Sequence, residues 1–170
     1  MRLLSQRLSR ALRHWNTSAA AGRRAFPQAT LAAIAGAISE GEHTHRSEVR
    51  LIVEASMPFE AIWADMSNRQ RALALFAEYG VWDTEDNCGL LIYINLAERQ
   101  VDIVADRHVG RKIPAATWQA VCQTMTDGFA HGRFHDSTLA AVAQVNALLR
   151  THFPATGARA NELPDNPILL

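Results

Sequence analysis

The stretch GVWDTEDNCGLLIYINLAERQVDIVADR, from Gly80 to Arg107, contains the segments that decide the fold. LLIYINLAE is apolar enough to form a buried central strand, and VDIVAD alternates like a second strand. Arg99 and Gln100 lie in a short polar turn between them, so the sequence predicts an antiparallel hairpin. The acidic loop VWDTEDNCG precedes this hairpin, and it is either a ligand site or the solvated rim of a sheet.

Helical and extended patterns continue on both sides of the hairpin. A helix is predicted from near Pro27 to Gly41, a strand over EVRLIVEAS, and a long helix from Phe59 to Tyr79 that is irregular near Asn68. After the hairpin, AATWQAVCQTMTDGFAHG and HDSTLAAVAQVNALLRTHF repeat apolar residues at helical spacing. The sequence therefore predicts an α/β fold: a three-layer α/β/α sandwich with a small mixed sheet of about four strands flanked by helices.

The chain divides into three predicted parts. Its 170 residues are enough for one domain with its own hydrophobic core. An Arg-rich amphipathic arm and connector cover residues 1–28, and a folded domain covers residues 29–153. Residues 154–170 show no hydrophobic period, so a flexible tail is expected there.

Composition excludes several classes of protein. The formal net charge is zero, which argues against a dedicated nucleic-acid binder, so no nucleic acid is expected as a partner. Cys88 and Cys122 lie in no spacing typical of zinc sites, and both are predicted to be free thiols. No segment is apolar and long enough to span a bilayer, and the amino-terminal segment lacks the apolar core of a secretory signal. We therefore expect a cytoplasmic protein.

The arm begins with MRLLSQRLSRALRHW, which has one apolar and one basic helical face, and no acidic residue precedes Glu40. The apolar face carries Leu4, Leu8, Ala11, Leu12 and Trp15, and the basic face carries Arg2, Arg7, Arg10 and Arg13. Three interpretations stay open. The apolar face packs on the domain or on a partner chain, the helix lies peripherally on an anionic membrane surface at the inner membrane face, or it directs import into an organelle.

Oxygen-bearing side chains are concentrated in the acidic loop and at the end of the second hairpin strand. The candidate metal ligands are Asp83, Glu85, Asp86, Asn87 and Asp106. Carboxylate and amide oxygens are the donors that calcium and magnesium prefer, so Ca²⁺ or Mg²⁺ is the candidate cofactor. The spacing is not that of an EF-hand, and the alternative of a solvated acidic rim stays open.

Basic residues follow Asp106 directly. Arg107 and Arg111 are candidate phosphate-binding residues, with Lys112 beside them, because cations stabilise phosphoryl oxygens. His108 could act as an acid or a base, although a single loop histidine is more often a surface residue. The sequence contains no P-loop, GxSxG or HExxH motif, so no catalytic residue is assigned.

The order of these segments resembles the TPM domain family over residues 29–153. In that family an acidic or amide-bearing turn ending in Asn-Gly leads into a buried strand. TEDNCGLLIY is similar to this pattern, with Cys88 between Asn87 and Gly89. A charged turn then leads to a strand with a glycine-rich end, and AERQVDIVADR resembles that part.

Two features depart from the family pattern. Ala105, Asp106 and Arg107 stand where the family has its glycine-rich strand end, and no aspartate opens the helix near Pro114. The family, which has many bacterial members, is associated with three kinds of function. These are acid phosphatase-like activity, binding of divalent ions (calcium in particular), and non-catalytic roles in assembling or repairing membrane complexes.

From the residues and the resemblance together we expect a binding or interaction module. It would bind calcium and an unidentified protein partner, and would take part in the assembly or maintenance of membrane-associated complexes. The alternative is a weak metal-dependent acid phosphatase. A groove that joins Asp86, Asp106 and Arg107 would favour the enzyme, whereas an exposed acidic rim with a large apolar patch elsewhere would favour the module.

Overall fold

The fold alternates helices and short strands along the chain. The computed structural model describes residues 2–157 and 160–170, with side chains from residue 8 onwards, so the side chains of Arg2, Leu4 and Arg7 lie outside the described part. In chain order the elements are α1 (Arg2–Asn16), α2 (Ala19–Ala25), α3 (Gln28–Glu42), β1 (Val49–Glu54), α4 (Phe59–Trp63), α5 (Asn68–Glu78), β2 (Leu90–Asn95), β3 (Gln100–Ala105), α6 (Arg107–Lys112), α7 (Ala115–Ala130), α8 (Phe134–His152) and β4 (Ile168–Leu169).

A mixed sheet forms the centre of the domain. Within the described residues it has four strands in the order β3-β2-β1-β4. Strand β1 pairs in parallel with both β2 and β4, whereas β2 and β3 form an antiparallel hairpin in which Tyr93 lies opposite Asp102. With helices on both faces of this sheet, the predicted three-layer α/β/α sandwich is confirmed, and so is the hairpin.

Both faces of the two central strands are covered, which explains their continuous apolar sequence. All six residues of β1 and all six of β2 are buried. Leu90, Ile92 and Ile94 belong to the larger core, which α3, α7 and α8 complete. Leu91 and Tyr93 point to the other face and pack in a second core with α5. The buried strand that the sequence predicts is therefore the middle of the sandwich.

Two helical segments differ from the sequence-based expectation, because capping side chains start short helices that the hydrophobic pattern does not show. The connector contains α2, and the hydroxyl of its N-cap residue Ser18 accepts a hydrogen bond from the Ala21 N–H. The helix predicted from Phe59 to Tyr79 is divided into α4 and α5. Ser67 and Gln70 form a capping box that starts α5, so the chain leaves helical geometry before Asn68.

The expectation of a flexible tail over residues 154–170 needs correction at its C-terminal end. Leu170 donates its N–H to the Val53 oxygen over 2.8 Å, and Ala55 donates to the Leu170 oxygen over 3.1 Å. These bonds extend the pairing of β4 with β1. Only two residues of the tail are in strand geometry, and a segment this short leaves no hydrophobic period in the sequence.

Charged side chains at the start of β1 hold the rest of the tail. The Glu48 carboxylate accepts hydrogen bonds from the backbone N–H groups of Glu162 (3.3 Å) and Leu163 (3.1 Å). The Arg50 guanidinium donates to the backbone oxygen of Pro164. Because these partners are more than a hundred residues apart, no local pattern in the sequence could reveal them.

The arm helix α1 docks with polar side chains facing the domain. Arg10 Nε donates to Glu98 Oε1 over 2.5 Å, and His14, which is 3% exposed, lies 2.8 Å from the same oxygen through its Nε2. The Met57 N–H donates to His14 Nδ1 over 3.1 Å. Burial raises the pKa of Glu98, but hydrogen bonds from Arg10 and His14 outweigh it and hold the pKa below its ordinary value.

This orientation corrects one interpretation of the arm. One of the three interpretations was that the apolar face packs on the domain, but Leu8, Leu12 and Trp15 are exposed in the structure. Ala11 is the part of that face that packs inward. The physical reason is that the partly buried carboxylate of Glu98 pairs with Arg10 and His14, which lie on the opposite helical face.

Two acidic residues make the attachment of the tail depend on pH. Burial raises the pKa of Glu42 to about 9, and burial also raises the pKa of Glu48. Glu42 accepts a hydrogen bond from the Val49 N–H over 2.7 Å, and the nearby carboxyl groups of Glu48 and Asp165 raise its pKa further. The folded state therefore favours protonated Glu42, so the stability it contributes at low pH is lost as the pH rises towards 9.

We predict that Glu42→Gln raises the melting temperature at neutral and alkaline pH, because the amide keeps the acceptor for Val49 and, unlike the carboxyl group, does not have to take up a proton when the chain folds. The gain over the wild-type protein should grow between about pH 5 and about pH 9, and thermal denaturation followed by circular dichroism measures it. Glu40→Gln is the matched control, since Glu40 is an exposed residue of the same helix. Equal pH profiles for the two variants would contradict the prediction.

Candidate functional site

The loop before β2 has a backbone conformation that only certain residue types can adopt. A Cβ atom added to Gly89 would lie 1.8 Å from the Val81 oxygen, so only glycine fits there. Asn87 has a φ of 52°, in the left-handed region that asparagine tolerates. The Cys88 N–H donates to the Thr84 hydroxyl over 3.0 Å, which closes the turn. These contacts explain why the loop ends in Asn-Cys-Gly.

Asp106 connects this loop to a helix that the sequence analysis missed. Its N–H donates to the Gly89 oxygen over 2.9 Å, and its carboxylate caps α6 by accepting the Arg107 N–H over 2.6 Å. Asp106 is 8% exposed, and its Oδ2 is buried with no hydrogen-bond partner in the described part of the chain. Helix α6 is too short to show a hydrophobic period, but an aspartate before it is a typical N-cap signal.

A surface groove of about 690 Å³ opens beside α6. Four of the predicted site residues line it: Asn87, Asp106, Arg107 and Arg111. Its apolar wall includes Leu73, Phe76 and the exposed ring of Trp82. The structure thus brings the predicted phosphate-binding residues together with two of the predicted metal ligands.

The two arginines of the groove are available to a ligand. Arg107 and Arg111 are both exposed and lie one helical turn apart, so their side chains are neighbours on α6. Among residues 8–157 and 160–170, no hydrogen bond or ion pair engages either guanidinium group. Two such groups on one groove wall can bind a single anion through charge-assisted hydrogen bonds.

Three of the predicted metal ligands lie outside the groove. Asp83 and Glu85 are exposed, and Asp86 is 3.5 Å from the Arg46 guanidinium, with which it forms an ion pair. Within the described residues, no group of three or more His, Cys, Asp or Glu side chains is arranged to hold a metal ion. The predicted cation set is therefore divided in the structure: Asn87 and Asp106 line the groove, whereas Asp83, Glu85 and Asp86 do not.

The other side of α6 faces the protein interior. His108 Nδ1 lies 3.1 Å from the Asp86 oxygen and 3.6 Å from Cys88 Sγ, and its ring meets Phe153 edge-on. Lys112 lies over the same phenyl ring, 4.8 Å from its centre. His108 and Lys112 therefore do not line the groove with the two arginines.

The thiol groups show no sign of nucleophilic activation. Cys88 is buried, and this burial raises the pKa of its thiol. Burial also raises the pKa of Cys122, to about 11. Both residues are free thiols, as predicted. At neutral pH they are protonated, and Cys88 acts as a packing residue of the loop.

Comparison with known protein families identifies the family of this chain. A model of the TPM domain matches residues 23–148, which is most of the chain and includes the whole groove. The chain belongs to the TPM domain family. The resemblance inferred from the sequence is confirmed, although the family match begins earlier than residue 29 and takes in part of α2.

A solved structure has a similar fold. The NMR structure of the BA42 protein from the psychrophilic bacterium Bizionia argentinensis matches with a TM-score of 0.71 and 20% sequence identity. The match covers 82% of this chain and 91% of that one. At this identity the likeness shows the fold alone. No curated protein sequence matches the chain.

One further observation concerns membranes. In the part of the chain that the structure describes, no helix is both long and apolar enough to cross a bilayer.

We predict that Gly89→Ala destabilises this TPM domain by at least about 2 kcal/mol, because the added methyl group must displace the Val81 backbone. Urea denaturation measures the change in the free energy of unfolding. Gly110→Ala is the matched control, since a Cβ at this helical position meets no atom within 4 Å. There we expect a small gain of roughly 0.5–1 kcal/mol from helix propensity. A neutral Gly89→Ala variant would show that the loop can rearrange.

Proposed function

We propose that this TPM domain protein is a binding module that takes a phosphate-bearing or similar anionic group in the groove beside α6. Through that contact it would take part in the assembly or maintenance of membrane-associated complexes, a role that the family resemblance suggests. The observation that carries the proposal is the pair Arg107 and Arg111, which line one groove with no anionic partner among the described residues.

The remaining lining residues suit recognition of an anion attached to a larger group. The Asn87 amide can donate a hydrogen bond to the same oxygens that the arginines meet. Trp82, Leu73 and Phe76 give the groove an apolar wall, against which the non-polar part of a ligand can pack. Planar guanidinium groups bind phosphate and carboxylate through two parallel hydrogen bonds. The side of the groove that carries the two arginines is therefore selective for such groups.

The chemistry of the groove favours binding over catalysis. A phosphatase needs a nucleophile or an activated water molecule beside the cations. None of the lining residues that the structure describes carries a hydroxyl, thiol or imidazole group. Asp106 is the one carboxylate among them, and it is engaged in capping α6. Asp86 does not line the groove with Asp106 and Arg107, the arrangement that would favour an enzyme, so the alternative of a weak acid phosphatase has less support.

We predict that inorganic phosphate and phosphoserine shift the amide NMR signals of Asn87 and of residues Asp106 to Arg111. In the Arg107→Ala/Arg111→Ala variant the affinity should fall by about tenfold to a hundredfold, the usual loss for removed charge-assisted hydrogen bonds. Arg150→Ala is the matched control, because Arg150 is an exposed arginine of α8. If no signals move, or if the double variant binds as tightly as the control, the groove is not an anion site.

Binding of calcium or magnesium is proposed from the resemblance and the acidic loop, without support from the assembled geometry. If it occurs, titration with either chloride salt should move the amide signals of Asp83 to Asn87 in the same spectra. The shifts should disappear in Asp83→Ala/Asp86→Ala, whose loop lacks two carboxylates. Spectra that stay unchanged at millimolar ion would leave the loop a solvated rim.

A further inference from the structure

Two neighbouring helices present large apolar side chains to solvent. On α1, Leu8 is 64% exposed and Trp15 is 87% exposed, with Leu12 between them on the same face. Helix α4 contacts α1 and exposes Phe59 and Trp63, the latter by 76%. We call these five residues the α1–α4 patch. Single exposed apolar residues are ordinary, but five large ones on two contacting helices indicate a binding surface.

The docking contacts of α1 keep its part of the patch facing outward. Arg10 and His14 occupy the inward face and both bind Glu98. Arg10 also donates to the backbone oxygen of Met66 over 2.6 Å, just beyond α4. Turning Leu8 and Leu12 inward would break these bonds and leave the partly buried Glu98 carboxylate against apolar side chains.

Helix α4 likewise exposes its large apolar side chains and packs its other side against α1. Ala61 and Ile62 are buried in a small cluster with Met57, against which Ala11 of α1 packs. Phe59 and Trp63 lie one turn apart on the other side, with their rings stacked at 5.8 Å between centres. This buried cluster thus joins the two helices, and the large aromatic residues are exposed on the outer side.

The charge beside the patch is positive. The first 39 residues contain six arginines and no acidic residue. Arg13 is an exposed residue of α1, and Arg23 and Arg24 are exposed residues of α2, the next helix along the chain. Arg13 lies 3.6 Å from Glu98 but is 56% exposed. Glu60 and Asp65 are exposed acidic residues on α4 and just after it. The three exposed arginines outnumber these two carboxylates and give the amino-terminal helices an attraction for anionic surfaces.

These features match an interfacial membrane contact better than a protein contact. Amphipathic helices that lie in the headgroup region combine Trp, Phe and Leu with flanking Arg residues. Tryptophan side chains prefer this interface because the ring is apolar and its N–H is polar. The patch is formed by the outer sides of two helices and is not a groove, whereas protein partners commonly anchor in grooves or pockets.

From this arrangement we infer that the α1–α4 patch docks the protein on the surface of an anionic bilayer. The apolar side chains enter the headgroup region, and Arg13, Arg23 and Arg24 contact lipid phosphates. This contact uses other residues than the groove beside α6, so it goes beyond the proposed function and stands without it.

The test is co-sedimentation of the full chain with vesicles. The protein should bind vesicles made of equal parts phosphatidylcholine and phosphatidylglycerol, and binding should weaken as salt is added. Vesicles of phosphatidylcholine alone should bind at least about tenfold more weakly, since the arginines lose their partners. Failure to bind the anionic vesicles overturns the inference.

Two variants test the patch itself. Leu8→Ser/Trp15→Ser and Trp63→Ser should each reduce binding to the anionic vesicles by at least about tenfold, because these variants transfer less apolar surface from water to the bilayer on binding. All three side chains are exposed, so circular dichroism spectra and melting temperatures should stay close to those of the wild-type protein. Unchanged vesicle binding by both variants, with the fold intact, overturns the inference.

Charge and groove variants distinguish docking through the patch from lipid binding in the groove and from self-association. Arg23→Glu should weaken vesicle binding, and Arg150→Glu, with the same change in net charge, should do so much less, since Arg23 is an exposed residue of α2 and Arg150 an exposed residue of the distant helix α8. The groove variant Arg107→Ala/Arg111→Ala should bind vesicles like the wild-type protein. If the groove variant loses the vesicles instead, the lipid headgroup is bound in the groove and the inference is wrong. Self-association that the patch variants abolish, without vesicle binding, would identify an interface between copies of the chain and also overturn it.

Discussion

The backbone of Gly89 lies against the carbonyl oxygen of Val81, and this contact determines how the loop, the sheet and the groove fit together. Because no side chain fits between the two, the loop must return to the start of β2 at this point. The Gly89 oxygen then accepts the N–H of Asp106, and Asp106 in turn caps α6. The positions of Arg107 and Arg111 follow from that cap. A contact that involves no functional group thus places the charged wall of the groove.

The two ends of the sheet hold different parts of the protein. At the amino ends of β1 and β2, Glu48 and Gly89 position the tail and the start of α6. Near the carboxyl ends, Glu98 binds the arm helix, and the buried Glu54 carboxylate accepts hydrogen bonds from Arg71 and Tyr93. Different carboxylates hold the parts of the chain at each end. The protein can therefore bind a ligand at one end of the sheet and a surface at the other through different residues.

The sequence predicts the parts of this fold whose signals are local and long. The hairpin, β1, α3, α7 and α8 have clear periodicity, and the structure contains all of them. Helices α2 and α6 and strand β4 are too short for a period, and their caps or tail contacts define them. In the site, Arg107 and Arg111 meet because one helical turn separates them. In the acidic loop, the ion pair between Asp86 and Arg46 could not be predicted, because Arg46 is distant in sequence. The amphipathic pattern correctly predicted a helix in the arm. It could not show which face of that helix turns inward, since this depends on Glu98.

The pairing of the tail with β1 has a consequence for solubility. An unpaired apolar strand edge is a template on which another chain can add as a further strand. Strand β1 has the sequence VRLIVE and would present such an edge if the tail were absent. In the folded protein the Val53 oxygen is occupied by Leu170, and Glu48 and Arg50 hold the preceding tail across the same side. The tail therefore shields the β1 edge from aggregation.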